Sequence, residues 1–359
     1  MMMAGSIISG TAILTSSLIK YNFWVYAVLY GFLNGFGMAC LFLPALASIG
    51  YYFDVRVSIA MSLAFFGCSL GNIIFPPVEE VFIKRFQLRS TLILEGALVT
   101  AMLPLAKVLP GLEEVRRRQI SLSWKKEKQQ TEPNHSEEPS LALAKPKVDW
   151  FIMKKLEFCL YMTSQFFSGM AEWAPMGILP RLFKKTFDHS TSQSLKGGLL
   201  ITTYGVAGLL VRVPMGAFAD LPDTNPLVIQ AFCGLVVSLA GFLQSIASEF
   251  WQLGLLTGVI GAFVPGIQPL NPSIVLDIWG IDGLAFVLGF VKFFRGIGYV
   301  FGPLLLNMAM DKFGEKAGLC TAAGFHLCGS AFAFICYVVN KKTNSDVQEK
   351  ITEKPKVNN

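Results

Sequence analysis

Arg212, Lys292, Arg295, Glu172, Glu95 and His326 are ionisable side chains set inside stretches that are mostly apolar. An arginine at the centre of a membrane-spanning helix costs about 2.5–3.5 kcal/mol, so such a side chain faces a cavity or a partner. Arg212 is the clearest case, set in Gly205-Val206-Ala207-Gly208-Leu209-Leu210-Val211-Arg212-Val213-Pro214. Gly208, Arg212 and Gly216 are four apart, a helical stripe of small residues around one cation. That stripe leaves room for a fork of donors, and a guanidinium fork holds a carboxylate bidentately. The alternatives are a structural counter-ion or snorkelling to the interface.

Gly289, Lys292, Arg295, Tyr299 and Gly302 follow helical spacing on another face. Two cations three residues apart repel unless an anion or acid lies between them. Arg212, Arg295 and Lys292 are therefore the candidate substrate-binding residues, with snorkelling the alternative for Lys292. Glu172 and Glu95 are candidate proton carriers or counter-ions, since a carboxyl held in a span either carries a proton or pairs with a neighbouring cation. Asp277 and Asp282 bracket a short loop and read as solvated, and His326 reads as packed against a polar neighbour. No HExxH, Walker loop or GxSxG elbow is present, so neither catalysis nor ATP-driven pumping is expected. No metal or cofactor is expected either. Transport by such a chain is secondary or facilitated.

The elements that position these residues are membrane helices. Hydrophobic residues make up 53% of the chain and charged ones 15%, against about 25% charged in a soluble domain. Mean hydropathy is +0.53. Ten apolar stretches stand near 4–19, 22–50, 57–79, 88–110, 155–180, 196–219, 227–247, 251–279, 283–309 and 317–340. Each is long enough to cross a hydrocarbon core of about 30 Å. No period-2 alternation argues for strands. Pro44, Pro76, Pro77 and Pro175 fall within or at the ends of spans, where neighbouring helices satisfy the freed carbonyls. The fold class is all-α membrane protein.

Residues 112–150 form a polar, charged, disordered linker, with Arg116, Arg117, Arg118, Lys125, Lys126 and Lys128 beside Glu113, Glu114, Glu137 and Glu138. The tail from Lys341 has the same character. Six spans separate linker from tail, so both lie on one side, and their Lys and Arg content makes it cytoplasmic. Four spans precede the linker, which puts the N-terminus there too. The net charge of +6 reflects this topology, or contact with anionic lipid, and not nucleic acid. Seven cysteines without a CxxC pair read as small packing residues. The sequon at Asn134 lies in the linker and is expected to carry no glycan. The N-terminus lacks the charged region of a cleaved signal peptide. Gly31/Gly35, Gly67/Gly71, Gly254/Gly258 and Gly298/Gly302 have the four-residue spacing that lets helix backbones approach closely.

Tyr51-Tyr52-Phe53-Asp54-Val55-Arg56-Val57-Ser58-Ile59-Ala60, continuing through Gly67-Cys68-Ser69-Leu70-Gly71, resembles the second signature of the monocarboxylate transporter family. The matching positions are Tyr52, Phe53, Arg56, Ala60, Gly67, Ser69 and Gly71, while the usual lysine is Asp54. Arg212-Val213-Pro214-Met215-Gly216, Asp277-Ile278-Trp279-Gly280, Arg295-Gly296-Ile297-Gly298 and Gly302-Pro303 resemble the later spans in order. The resemblance implies a major facilitator fold of two six-helix halves with the solute bound between them. It implies carriage of a small monocarboxylate or related organic solute by alternating access, often with a proton, at the plasma membrane. Arg212 matches the family's substrate-side arginine, but the acid expected one turn earlier is Gly208. A single-span immunoglobulin-like chaperone is a partner that the resemblance suggests.

By this alignment residues 4–19 correspond to the family's third span, giving about ten helices, four plus six, against twelve. Met1-Met2-Met3 then reads as an internal start, a spliced isoform or a faulty gene model. The expected domains are a partial N-terminal half at 1–111, the linker at 112–150, a six-helix half at 151–342 and a tail at 343–359. The expected function is secondary or facilitated monocarboxylate transport. The alternative is a truncated, non-transporting membrane isoform that associates with or regulates a full-length transporter.

Overall fold

The computed structural model describes residues 1–19, 22–53, 56–104, 150–172, 178 and 193–352. Among them every regular element is helical. Helix α1 is Met2–Leu18. Helix α2 covers 23–52, opening at Asn22, whose side chain accepts from the Val25 amide, and passing through a π-helical stretch, Ala27–Leu33. The next helical run, Val57–Thr100, is broken at Gln87 (φ 67°), giving α3 (57–86) and α4 (88–100). A positive φ is uncommon for a residue with a Cβ, and here it marks the break between the two helices. After a 3₁₀ turn, Trp150–Lys154, come α5 (Leu156–Glu172) and α6 (Gln193–Ala219). Helix α7 is Pro226–Ile246, started by Pro226 and an Asn225 cap bonded to the Leu227 amide. The run Phe250–Phe313 is broken at Gly280 (φ 69°) into α8 (250–279) and α9 (281–313). Gly314 (φ 90°) then admits α10, Glu315–Thr352.

Seven helical segments among the described residues are long and apolar enough to cross a membrane: Phe23–Gly50, Val57–Phe75, Leu199–Ala219, Pro226–Ile246, Phe250–Ile281, Gly283–Phe313 and Glu315–Thr343. Met2–Leu18 is apolar but shorter. The helix expected over 57–79 runs on to residue 86, because its charged end contains no breaker before Gln87. The tail expected to be disordered from Lys341 instead continues α10 to Thr352. Thr343 there donates to the Glu157 carboxylate of α5 at 2.8 Å, which ties the helix end down. The linker 112–150, apart from Trp150, lies outside the described residues, as do 105–110 and Pro175.

By contact the chain divides into two units, one of residues 1–55 and 74–147, the other of 56–73 and 148–359. In the first, α1 and α2 meet through small residues: a Cβ on Gly5 would stand 2.6 Å from the Gly37 carbonyl. Ser9 bonds Asn34 at the same seam. In the second unit, the 56–73 part of α3 packs with α6. A Cβ on Gly216 would stand 2.6 Å from the Ser58 carbonyl, and Asp220, just past α6, accepts from the Ser58 and Ile59 amides at 3.0 and 2.8 Å. That carboxylate satisfies two orphan donors at the start of α3 across 162 residues of sequence.

Of the four glycine pairs singled out by spacing, only Gly298/Gly302 is a tight seam. A Cβ on Gly298 would stand 2.9 Å from the Met170 amide, and one on Gly302 2.7 Å from the Met170 carbonyl carbon. Gly31, Gly35 and Gly67 have nothing within 4 Å. Spacing shows that a helix has a small-residue face, but not what that face meets. The cysteines are all free among the described residues, and of the seven only Cys233 and Cys336 are buried. Cys40 is half-buried at the α1–α2 seam, where a Cβ on Gly5 would stand 3.0 Å from its own Cβ.

A buried charge cluster in the second unit

Helix α6 carries Arg212 into the interior of the second unit, where the residue is 5% exposed. Its Nε donates to the Pro265 carbonyl of α8 at 3.2 Å, and one Nη donates to the Phe65 carbonyl of α3. The first acceptor has a cause in the sequence. Residue 269, four positions on, is proline and has no N–H, so the Pro265 carbonyl lacks its helical donor and is open to another. The guanidinium also lies 5.8 Å from the centre of the Phe65 ring. Among the described residues no carboxylate pairs with Arg212. The room expected at Gly208 is not there: a Cβ on it would stand 2.8 Å from the Gly261 carbonyl and 3.0 Å from Pro265. The small-residue stripe serves helix contact and does not line a cleft.

Arg295, on α9, is placed differently. It is 2% exposed, and its Nη2 pairs with Glu172 Oε2 at 2.8 Å. Its Nε donates to the same oxygen at 2.9 Å and approaches the Tyr299 hydroxyl at 3.1 Å, while Nη1 donates to Gln165 Oε1 at 2.7 Å. Tyr299 donates to Glu172 Oε2 at 2.6 Å, and Gln268 donates to Oε1. Both carboxylate oxygens are therefore engaged by donors from α8 and α9. The polar chain continues from Gln165 Nε2 to Asn271 Oδ1 at 3.2 Å, which also accepts from Tyr161 at 2.9 Å. Close backbone contact makes this possible, since a Cβ on Gly169 would stand 2.6 Å from the Arg295 carbonyl.

The two arginines belong to one circuit. Lys292, a turn before Arg295, places Nζ 5.8 Å from the centre of the Phe65 ring that Arg212 also overlies. Gln268, which holds Glu172, lies three residues after Pro265, which holds Arg212. On a helix that separation is about 4.5 Å along one face. The structure thus brings Arg212, Lys292, Arg295 and Glu172 together in the second unit. Phe65, Gln268, Gln165 and Tyr299 join them; no charge marks these on the sequence, although the i, i+4 prolines 265 and 269 mark where Arg212 finds an acceptor.

Glu95 stands apart, in the first unit, where it accepts from Tyr30 at 3.2 Å. That unit also holds an open cavity of 710 Å³, lined by residues that include Ser16, Asn22, Tyr26, Gln87 and Arg89. Glu95 is not among its lining residues. His326 is buried, and its Nδ1 makes no hydrogen bond. Of the signature residues, Tyr52, Phe53 and Arg56 are exposed and Ala60 is half-buried. Gly67 is open, Gly71 is half-buried, and Ser69 is buried. Among the described residues no group of three His, Cys, Asp or Glu side chains could hold a metal.

The family model for the Major Facilitator Superfamily matches residues 1–230 and 161–357. Monocarboxylate transporter 12 of Xenopus laevis is 22% identical over 335 residues, which cover 90% of this chain and 70% of the relative. Monocarboxylate transporter 11 of Mus musculus is 24% identical over 339 residues, 91% of this chain and 70% of the relative. The human monocarboxylate transporter 6 is 20% identical, and this chain spans 65% of its length. In structure, the chain is similar to the FucP transporter in its outward conformation (TM-score 0.64, 15% identity, 93% of this chain and 80% of that one). It is also similar to the human organic anion transporter MFSD10 (TM-score 0.58, 14% identity, 91% and 76%). These relatives and fold neighbours are transporters, not enzymes. A family match along nearly its whole length, on an all-helical membrane fold, makes this chain a member of the Major Facilitator Superfamily.

Proposed function

We propose that the chain takes part in secondary or facilitated transport of a small monocarboxylate or related organic anion by alternating access, with Arg212 receiving the carboxylate. The observation that carries this reading is a buried guanidinium with no carboxylate partner among the described residues. Backbone carbonyls hold its geometry but leave its charge unbalanced, and a buried charge is costly unless an anion meets it. The names of the relatives point to the same solute class. Lys292 adds positive charge on the other contact of Phe65, and Arg295 stands behind it with its charge balanced by Glu172. Proton symport, residence in the plasma membrane, cytoplasmic placement of both termini and the 112–150 segment, and an immunoglobulin-like chaperone belong to the same proposal.

Arg212→Gln tests it. Uptake of radiolabelled butyrate by cells expressing the chain should fall by about 10- to 100-fold, the equivalent of one lost charge-assisted hydrogen bond, with delivery to the surface unchanged. Unchanged uptake at equal surface density would overturn the assignment.

A further inference from the structure

We propose that Glu172 sets the charge class of the solute, by filling with the chain's own carboxylate a second carboxylate seat one helical turn from Arg212. The inference rests on the reading of Arg212 as the first seat. Arg295 Nε and Nη2, Tyr299 and Gln268 surround Glu172 with four donor groups, engaging both of its oxygens. Convergent donors around a bidentate oxyanion are what a receptor for a free carboxylate consists of. The seat is 9% exposed at Glu172 and 2% at Arg295, so its donors have no water to turn to when the anion is removed.

The second seat is close to the first. Gln268 and Pro265 are three residues apart on α8, and Lys292 and Arg295 are three apart on α9. Each pair links one seat to the other over about 4.5 Å of helix rise. A short dicarboxylate on Arg212 would bring its second charge to a place that already holds one. Glu172 therefore rejects it twice, by occupying the donors and by like-charge repulsion, while a monocarboxylate has no second charge to seat or to repel. Discrimination of this kind comes from a repulsive element and not from a better contact. Removing the side chain vacates the volume of a carboxylate and leaves its donors in place, so the second charge needs no new space.

Butyrate and succinate, which share a four-carbon length and differ by one carboxylate, are the probes. The readout is thermal stabilisation of the purified full chain, since a ligand that binds the folded state raises its melting temperature. The wild type should be stabilised by butyrate and not by succinate. Glu172→Ala should be stabilised by succinate, half-saturating at a concentration at least about tenfold below the highest at which the wild type shows no shift. Succinate without effect on Glu172→Ala, or equally effective on the wild type, overturns the proposal. Acetate on the Arg212→Gln/Glu172→Ala double variant separates the two readings. Stabilisation there upholds the vacated seat even when butyrate leaves the wild type unmoved, in which case the reading of Arg212 alone falls. If Glu172→Ala does not fold, Glu172→Gln removes the charge and keeps the shape. It should admit succinate more weakly but above wild type, and no gain sinks the idea.

Discussion

Arg212 and Arg295 lie in one unit, on one circuit of contacts, and are buried to nearly the same extent, yet the protein treats them in opposite ways. Arg295 has a carboxylate, a tyrosine and a glutamine around it, and its charge is cancelled on the spot. Arg212 has two backbone carbonyls and an aromatic face, which supply hydrogen bonds but no charge. Burial alone does not identify a binding residue. The contrast between satisfied geometry and unbalanced charge is what supports the proposal for Arg212.

Substitution should pull the two apart most strongly. Arg295→Gln leaves the Glu172 carboxylate buried without its cation, and losing one partner of such a pair costs about 3–5 kcal/mol. Arg212→Gln strands only carbonyl acceptors, at about 1–3 kcal/mol. Thermal melts of the two purified variants check the order; equal losses would erase the distinction. Next in size is the seam that brings Arg295 to Glu172. Gly302→Ala would force a Cβ against the Met170 backbone, with an overpacking cost of about 1–3 kcal/mol. Gly31→Ala, with nothing within 4 Å, should change the melting point little and serves as the control. The smallest effect concerns the helix that carries Phe65 to Arg212. Asp220→Ala removes the carboxylate that accepts from the Ser58 and Ile59 amides, a capping loss of about 0.5–2 kcal/mol. It should lower stability without abolishing the butyrate-induced shift.

The helices were legible because crossing a membrane demands a run of apolar residues of fixed length, and that demand is local. The identity of the buried charges was legible for the same reason: Arg212, Lys292, Arg295 and Glu172 stand out against apolar neighbours. The pairing of Glu172 with a nearby cation was foreseen, but which cation was not, since Arg295 lies 123 residues away. Phe65, which contributes a carbonyl and a ring to Arg212, is 147 residues distant and carries no charge to mark it. Gly208 and Gly216 were misread as leaving space because spacing cannot show that Gly261 and Ser58 press against them. Gln87 carries no glycine-like signal for its positive φ.

The single non-helical residue Gly280 has a consequence for how the protein is made. With α8 and α9 joined at one non-helical residue, the only polar stretch between them is the few residues from Asp277 to Asp282. The two are therefore expected to insert as a pair, and crosslinking of nascent chains that finds α8 released into lipid before α9 emerges would refute this. Prolines 265, 269 and 272 lie in the leading arm, so that arm reaches the lipid with carbonyls still lacking their donors. Assembly against α6, where Arg212 donates to one of those carbonyls, is then expected to protect that arm, and Arg212→Gln should slow the protein's maturation in a pulse-chase.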